Sequence, residues 1–162
     1  MELYIFGTGQ DEISGAWVRL PAIEVKIPAG PLTACLLDNG GHRFEGIAEK
    51  TDRSQLPALN RMALILRSLS EDEQATLDAM LECENSISIR MVERLLSLLP
   101  QATLFVGATD DEALGRYHME HKLHIVLPRQ IAAHFDYQGY GAAVRKSNPG
   151  IFTSTGFLMY GL

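Results

Sequence analysis

Apolar positions change their spacing twice along the chain. Up to about residue 55 they alternate or gather in short runs, and between 56 and 100 they recur every three or four residues. Beyond 101 the two habits mix. Leu3-Tyr4-Ile5-Phe6 predicts a first strand, with a turn at Gly7, Gly9 and Asp11. Ile13 to Leu20 predicts a second, stopped by Pro21. Ile23, Val25 and Ile27 alternate with Glu24 and Lys26 in strand period. Leu32 to Leu37 is a further apolar run, closed by the turn Asp38-Asn39-Gly40-Gly41. Residues 1–55 therefore read as a small β-rich unit with tight turns.

From Leu56 the spacing becomes helical. Leu56, Leu59, Met62, Ala63, Leu66 and Leu69 share one face, and Ser70-Glu71-Asp72-Glu73 has the form of a capping box opening a second helix through Leu77, Met80 and Leu81. Ile89, Val92, Leu95, Leu96 and Leu99 mark a third helix, with Ser88 as N-cap and Pro100 as stop. Residues 56–100 read as a small helical bundle. Leu104-Phe105-Val106 returns to strand pattern. Thr109-Asp110-Asp111-Glu112 repeats the capping-box form and starts a helix reaching about His121. Leu123 to Leu127 is a brief strand or extended link, and Pro128 can open the next helix with Ile131, Ala132, Phe135 and Tyr137 facing inward. Lys146 to Gly150 is a turn cluster, and Ile151 to Ser154 pairs with Phe157 to Tyr160 as a hairpin. Residues 101–162 form a small α/β unit. The fold class is α+β, a chain of three small subdomains with boundaries near 55 and 101.

Composition narrows the class. A hydrophobic content of 46% supports a packed core. The two cysteines, Cys35 and Cys83, form no CxxC pair and no disulfide framework, so a reduced, cytoplasmic protein is expected. Met1-Glu2 opens straight into Leu3-Tyr4-Ile5-Phe6 with no basic n-region and no cleavable h-region, so a secretory leader is not expected, and no apolar run approaches the length of a membrane span. The net charge of −6 is unevenly distributed. Residues 1–55 hold eight acids and five bases, 56–113 hold ten and four, and 114–162 hold two and five. The middle is acidic and the last third mildly basic.

Candidate chemistry is sparse. Gly7-Thr8-Gly9 lacks the further glycine and lysine of a phosphate loop. No G-x-S-x-G elbow is present, and both cysteines sit in apolar surroundings. His118, His121 and His124 raise a metal hypothesis, but no HExxH or paired thiolates accompany them. The carboxylate runs Glu71-Asp72-Glu73 and Asp110-Asp111 fall in helix first turns, where capping and the helix dipole account for them. No catalytic residue, metal ligand or cofactor stands out from these residues, and a metal-dependent enzyme using His118 and His121 is the least favoured class. The aromatic stretch Phe135-Asp136-Tyr137-Gln138-Gly139-Tyr140-Gly141 reads as a packing and partner-contact element.

Several segments, in order, resemble the ArdA family of antirestriction proteins. Leu3-Tyr4-Ile5 leading to Gly15-Ala16-Trp17-Val18-Arg19-Leu20-Pro21 resembles the family's opening strand and G-A-W segment. Leu59-Asn60-Arg61-Met62 resembles its L-N-R-L segment. Ala113 to Glu120, with Arg116-Tyr117, resembles its A-R-Y-Y helix. Phe135 to Gly141 resembles its (I/V)-D-Y-(Q/E)-A-Y-G signature, and Gly150-Ile151-Phe152 resembles the lead into its terminal strand.

The resemblance implies three small subdomains in an elongated chain, and a homodimer formed through the third. It implies a non-enzymatic DNA mimic that occupies the DNA-binding groove of type I restriction-modification enzymes and protects incoming mobile genetic elements. On that reading Glu71, Asp72, Glu73, Asp78, Glu82, Glu84, Asp110, Asp111 and Glu112 are candidate phosphate mimics. Phe135, Asp136, Tyr137, Tyr140 and Gly141 are candidate dimer contacts. The chain departs from the family around the signature. Pro128 to His134 precedes it without an acid, and Ala142-Ala143 then Arg145-Lys146 follow it. Duplex DNA carries one charge per roughly 1.7 Å, so a dimer of twice −6 matches only about 20 Å of duplex. Mimicry would therefore rest on local patches. The alternative is a protein of the same fold without effective mimicry, which binds another protein or a nucleic acid through the basic residues Arg129, Arg145 and Lys146.

Overall fold

The computed structural model describes residues 1–7, 17–22, 30–37 and 47–160. It mixes helices with two antiparallel sheets, an α+β fold. The chain divides into two compact units, residues 1–70 with 86–94, and 71–85 with 95–162. The helical stretch 56–100 is shared between these units because its helices dock on different sheets.

In the first unit, strands β1 (Glu2–Gly7), β2 (Trp17–Leu20), β3 (Leu32–Leu37) and β4 (Ile47–Thr51) form a sheet of order β2-β1-β3-β4. The register sets Leu3 beside Leu20 and Leu36, and Ile5 beside Ala34, so one face is continuous and buried. Helix α1 (Leu56–Ser68) packs on β1 and β2 and buries Leu59, Met62, Ala63 and Leu66. The Asn60 side-chain oxygen accepts from the Ala22 N–H at 3.0 Å, fixing the chain after β2. On the other face Trp17 stacks on Phe6 at 4.5 Å between centroids and meets Tyr4 edge-on.

Strand β4 has no counterpart in the sequence reading. Ile-Ala-Glu-Lys-Thr offers one large apolar residue, and its identity as a strand comes from pairing with β3. Its Glu49 carboxylate accepts from the Ile89 N–H at 3.1 Å, at the start of helix α3 (Ile89–Leu98). Ser88 caps the same helix as expected, its hydroxyl accepting from the Met91 N–H at 3.0 Å. The strand expected over 23–27 and the turn at 38–41 lie outside the described residues, as does most of the turn after Gly7.

In the second unit, strands β5 (Thr103–Val106), β6 (Ile151–Phe152) and β7 (Gly156–Met159) form a sheet of order β5-β7-β6. Phe105, Phe157 and Phe152 fall in one cross-strand row. With Ala108, Leu114 and Val144 they build a core under helices α4 (Asp111–Tyr117) and α6 (Tyr137–Ser147). Alternation sends Leu104 and Leu158 to the opposite face. Helix α2 (Glu71–Glu82) packs on β5 and β7, burying Leu77, Ala79, Met80 and Leu81.

Two local expectations are corrected. The cap of α4 is Asp110, not Thr109: its carboxylate accepts from the Ala113 N–H at 2.8 Å, so the helix begins one residue later. Ile131, expected to face inward, is 55% exposed, because helix α5 (Arg129–Ala132) is a single turn too short to hold a buried face. The residues from His118 to Lys122 continue α4 as a π-helical turn, with the Leu123 N–H reaching the His118 carbonyl five residues back.

Candidate functional site

All nine candidate acids and all five candidate contact residues belong to the second unit. The first unit contains nine acids and nine bases, for a net charge of zero. The second contains eleven acids and five bases, and so holds the entire net charge of −6. Within it, residues 71–85 carry six acids and no base, and the remainder balances. The net charge of the whole chain is thus the charge of α2 and the three residues after it.

The acids divide into two groups by what they touch. Asp110 caps α4. Asp111 takes two hydrogen bonds from the Arg145 guanidinium, Nε at 2.8 Å and Nη2 at 3.0 Å, joining α4 to α6. Glu112 holds Arg116 one turn on at 2.8 Å. These contacts push both guanidinium groups further above their usual range, in each case chiefly through the hydrogen bond to the carboxylate. The three acids at the start of α4 therefore work within the chain. On α2, Glu71, Asp72 and Glu73 are exposed in the first turn, where the helix dipole favours them. Asp78 and Glu84 are half-buried. Glu82 lies at the opposite, unfavourable end of the helix. It accepts from both the N–H and the hydroxyl of Ser154, each at 2.9 Å.

The aromatic stretch has a defined structural task. Asp136 is the N-cap of α6, accepting from the Gly139 N–H at 2.8 Å. Tyr137 is buried, and the Arg116 guanidinium lies 4.0 Å from its ring centroid. The Tyr140 hydroxyl bonds the His118 Nδ1 at 2.9 Å. Phe135 meets the Tyr137 and Tyr140 rings edge-on. Gly141 lies where α6 crosses α4 with no room for a side chain: a methyl there would overlap the Asp111 carbonyl oxygen. Gly115 is its counterpart on α4, with a methyl overlapping the Tyr137 carbonyl oxygen. Burial assigns Tyr137 and Gly141 to this crossing inside their own unit. Phe135 and Tyr140 are half-buried, and Asp136 is exposed. Gly115, Arg116 and Arg145 share the crossing, yet sequence reasoning did not connect them to the stretch. The only local signals were Gly115 inside one helical run and Gly139 and Gly141 inside the other.

Besides Val106 and Ile151, the exposed large apolar side chains described in this unit lie just before the stretch. Leu123, Ile125, Val126 and Ile131 are all exposed, Val126 by 79%. The segment 123–128 contains no strand. The histidines take separate partners: His118 bonds Tyr140, and the His121 ring lies 4.5 Å from that of Tyr117. No group of three or more potential metal ligands occurs among the described residues. Cys83 donates to the Ala79 carbonyl oxygen, and its thiol is pushed up by burial and then by Glu82 and Glu84. Cys35 is pushed up by burial alone. No helix among the described residues is long and apolar enough to cross a membrane.

Compared with protein-family models the chain matches none, and no curated protein matches it in sequence.

Proposed function

We propose that this protein is an antirestriction protein, a non-enzymatic DNA mimic that occupies the DNA-binding groove of a type I restriction-modification enzyme. The reading rests on the ordered segments that resemble the ArdA family, and one structural observation carries it further. Residues 71–85 hold six acids and no base, on and just after a helix of 12 residues. At 1.5 Å per residue that helix is about 18 Å long. One strand of duplex DNA presents a phosphate every ~3.4 Å, or about five over that length. The five carboxylates of α2 itself supply the charge of one strand, a density that the chain as a whole does not reach.

The active form is a homodimer of three-subdomain chains. Tyr137 and Gly141 support its seam from within, while Phe135 and Asp136 flank the exposed side chains Leu123, Ile125, Val126 and Ile131 that can form it. The alternative, a basic surface for nucleic acid in the last third, is weakened by the pairing of Arg145 with Asp111.

The test is direct. Purified protein is added to a type I enzyme with its DNA at moderate salt, and cleavage and methylation are followed. Inhibition that disappears in an E71Q/D72N/E73Q/D78N variant of unchanged fold supports the reading. Unaltered cleavage and methylation at micromolar protein rejects it.

A further inference from the structure

The second unit contains two adjoining cavities that play no part in charge mimicry. One, of about 260 Å³, is lined by Thr103, Phe105, His118, Lys122, Asn148 and Met159. The other, of about 300 Å³, shares Thr103, Asn148 and Met159 and adds Gln101, Ser147, Pro149 and Tyr160. Three shared residues make them one groove over the start of β5, between the π-helical turn and the end of α6. Together they hold at most about 560 Å³, within the ~300–1,000 Å³ range of small-molecule sites.

Its chemistry runs against that of its surroundings. The unit holds eleven acids, yet no carboxylate lines either cavity. The lining instead offers hydrogen-bond donors: the Lys122 ammonium, the second N–H of the Asn148 amide (the first bonds the Val144 carbonyl), the Thr103 hydroxyl and the His118 ring. The Tyr140 hydroxyl occupies His118 Nδ1 at 2.9 Å. When Tyr140 donates to Nδ1, the proton of the neutral ring is on Nε2, which is then a donor; the opposite tautomer would make Nε2 an acceptor. Phe105 and Met159 supply the apolar part, and Lys122 Nζ lies 4.9 Å from the centre of the Phe105 ring. The five-residue π-helical turn begins at His118 and ends at Lys122, so the imidazole and the ammonium come from the same irregular turn of the helix. Turns of this kind recur at functional sites because they redirect side chains that a regular helix would space differently.

We infer that this groove binds a small organic anion, a carboxylate or phosphate joined to a compact apolar ring, with Lys122 and His118 on the anionic group and Phe105 and Met159 under the ring. The site is independent of the antirestriction reading, and its test makes no use of a restriction enzyme.

The experiment is an amide NMR titration of the full chain at low salt with phenyl phosphate. Phenol serves as the ring without the anion, and inorganic phosphate as the anion without the ring. Saturating shifts at the Thr103, Lys122 and Asn148 amides are expected, with phenol and inorganic phosphate each weaker by about tenfold or more. K122Q is expected to weaken phenyl phosphate by about tenfold, the usual loss for one charge-assisted hydrogen bond, while K122R retains most of the affinity. Lys122 is exposed, so the dispersed spectrum of K122Q itself reports that the fold is kept. Benzoate run in parallel distinguishes a carboxylate from a phosphate ligand: saturation by either supports the site. Absence of saturation at these amides by both anions, equal binding of inorganic phosphate, or indifference to K122Q would overturn the inference.

Discussion

Helices α1 and α2 each cover one antiparallel sheet with four buried residues. Their outer faces are opposite in charge. α1 carries Arg61 and Arg67 and no acid, and it exposes Leu64 and Ile65. α2 carries five acids and no base, and it exposes no large apolar side chain. The inner faces follow from the sheets they must cover. The outer faces do not, since the same docking is achieved with either sign. The acidic face even opposes helix stability in two places. Asp78 and Glu82 are like charges four residues apart, and Glu82 sits at the negative end of the helix dipole. Three of the five acids suit the dipole of the first turn and Glu82 bonds Ser154, so the part of the pattern that the fold leaves unexplained is the absence of any base from the helix.

Four measurements bear on this comparison. The largest expected effect concerns the scaffold beneath the acidic unit. G141A forces α4 and α6 apart against backbone, and overpacking of this kind costs about 3 kcal/mol. Thermal denaturation by circular dichroism should show a Tm fall of about 6–12 °C. A near-unchanged Tm would mean that the helices cross less closely than described.

The second is the contrast itself. Neutralising Glu71, Asp72, Glu73 and Asp78 should weaken inhibition of a type I enzyme by at least about tenfold at low salt, whereas R61Q/R67Q should leave it within about twofold. Equal effects from both variants would end the distinction between the helices.

The third isolates a cap. D136A removes the acceptor for the Gly139 N–H and should cost about 1 kcal/mol, seen as a Tm fall of about 2–4 °C. D136N should recover most of it, since asparagine caps nearly as well.

The smallest effect compares one thiol from each unit. Both thiols titrate above the usual cysteine range, so at mildly alkaline pH each holds less reactive thiolate than a free cysteine, and its alkylation–pH midpoint lies higher. Because the folded-state pKa is raised, the associated stability is complete below the unfolded thiol's pKa and is lost as pH rises through the folded one. Only Cys83 also feels carboxylates. Added salt or E84Q should therefore speed alkylation of Cys83 by about two- to fivefold and leave Cys35 unchanged. An unchanged rate at Cys83 would show that burial alone sets both thiols, and a parallel response in Cys35 would show that the effect does not come from the carboxylates beside Cys83.

Much of this was readable from side-chain spacing. Strands β1 and β3, helices α1 to α3 and the Ser88 cap follow from apolar period and capping chemistry, because those signals are local. β4 was not readable, since a polar edge strand with one anchor, Ile47, owes its form to its neighbour. The acids of α2 were visible as a run, but not that residues 71–85 hold the full net charge of their unit. That follows only from knowing which segments pack together. The Phe135–Gly141 stretch stood out by composition, whereas its pairing with Gly115 and Arg116 depends on a helix crossing more than 20 residues apart in sequence.

The bond from Ser154 to Glu82 also carries a consequence for synthesis. These partners are 72 residues apart, and β7, the central strand of its sheet, is made last of the three. A ribosome adding about 5–20 residues per second takes about 4–14 s to cross that interval. For that time the apolar side of α2, with Leu77, Met80 and Leu81, has no finished sheet to cover it. The six acids of residues 71–85 are by then already in place. Their mutual repulsion between nascent chains can keep the uncovered helix from associating with its neighbours until its sheet is complete.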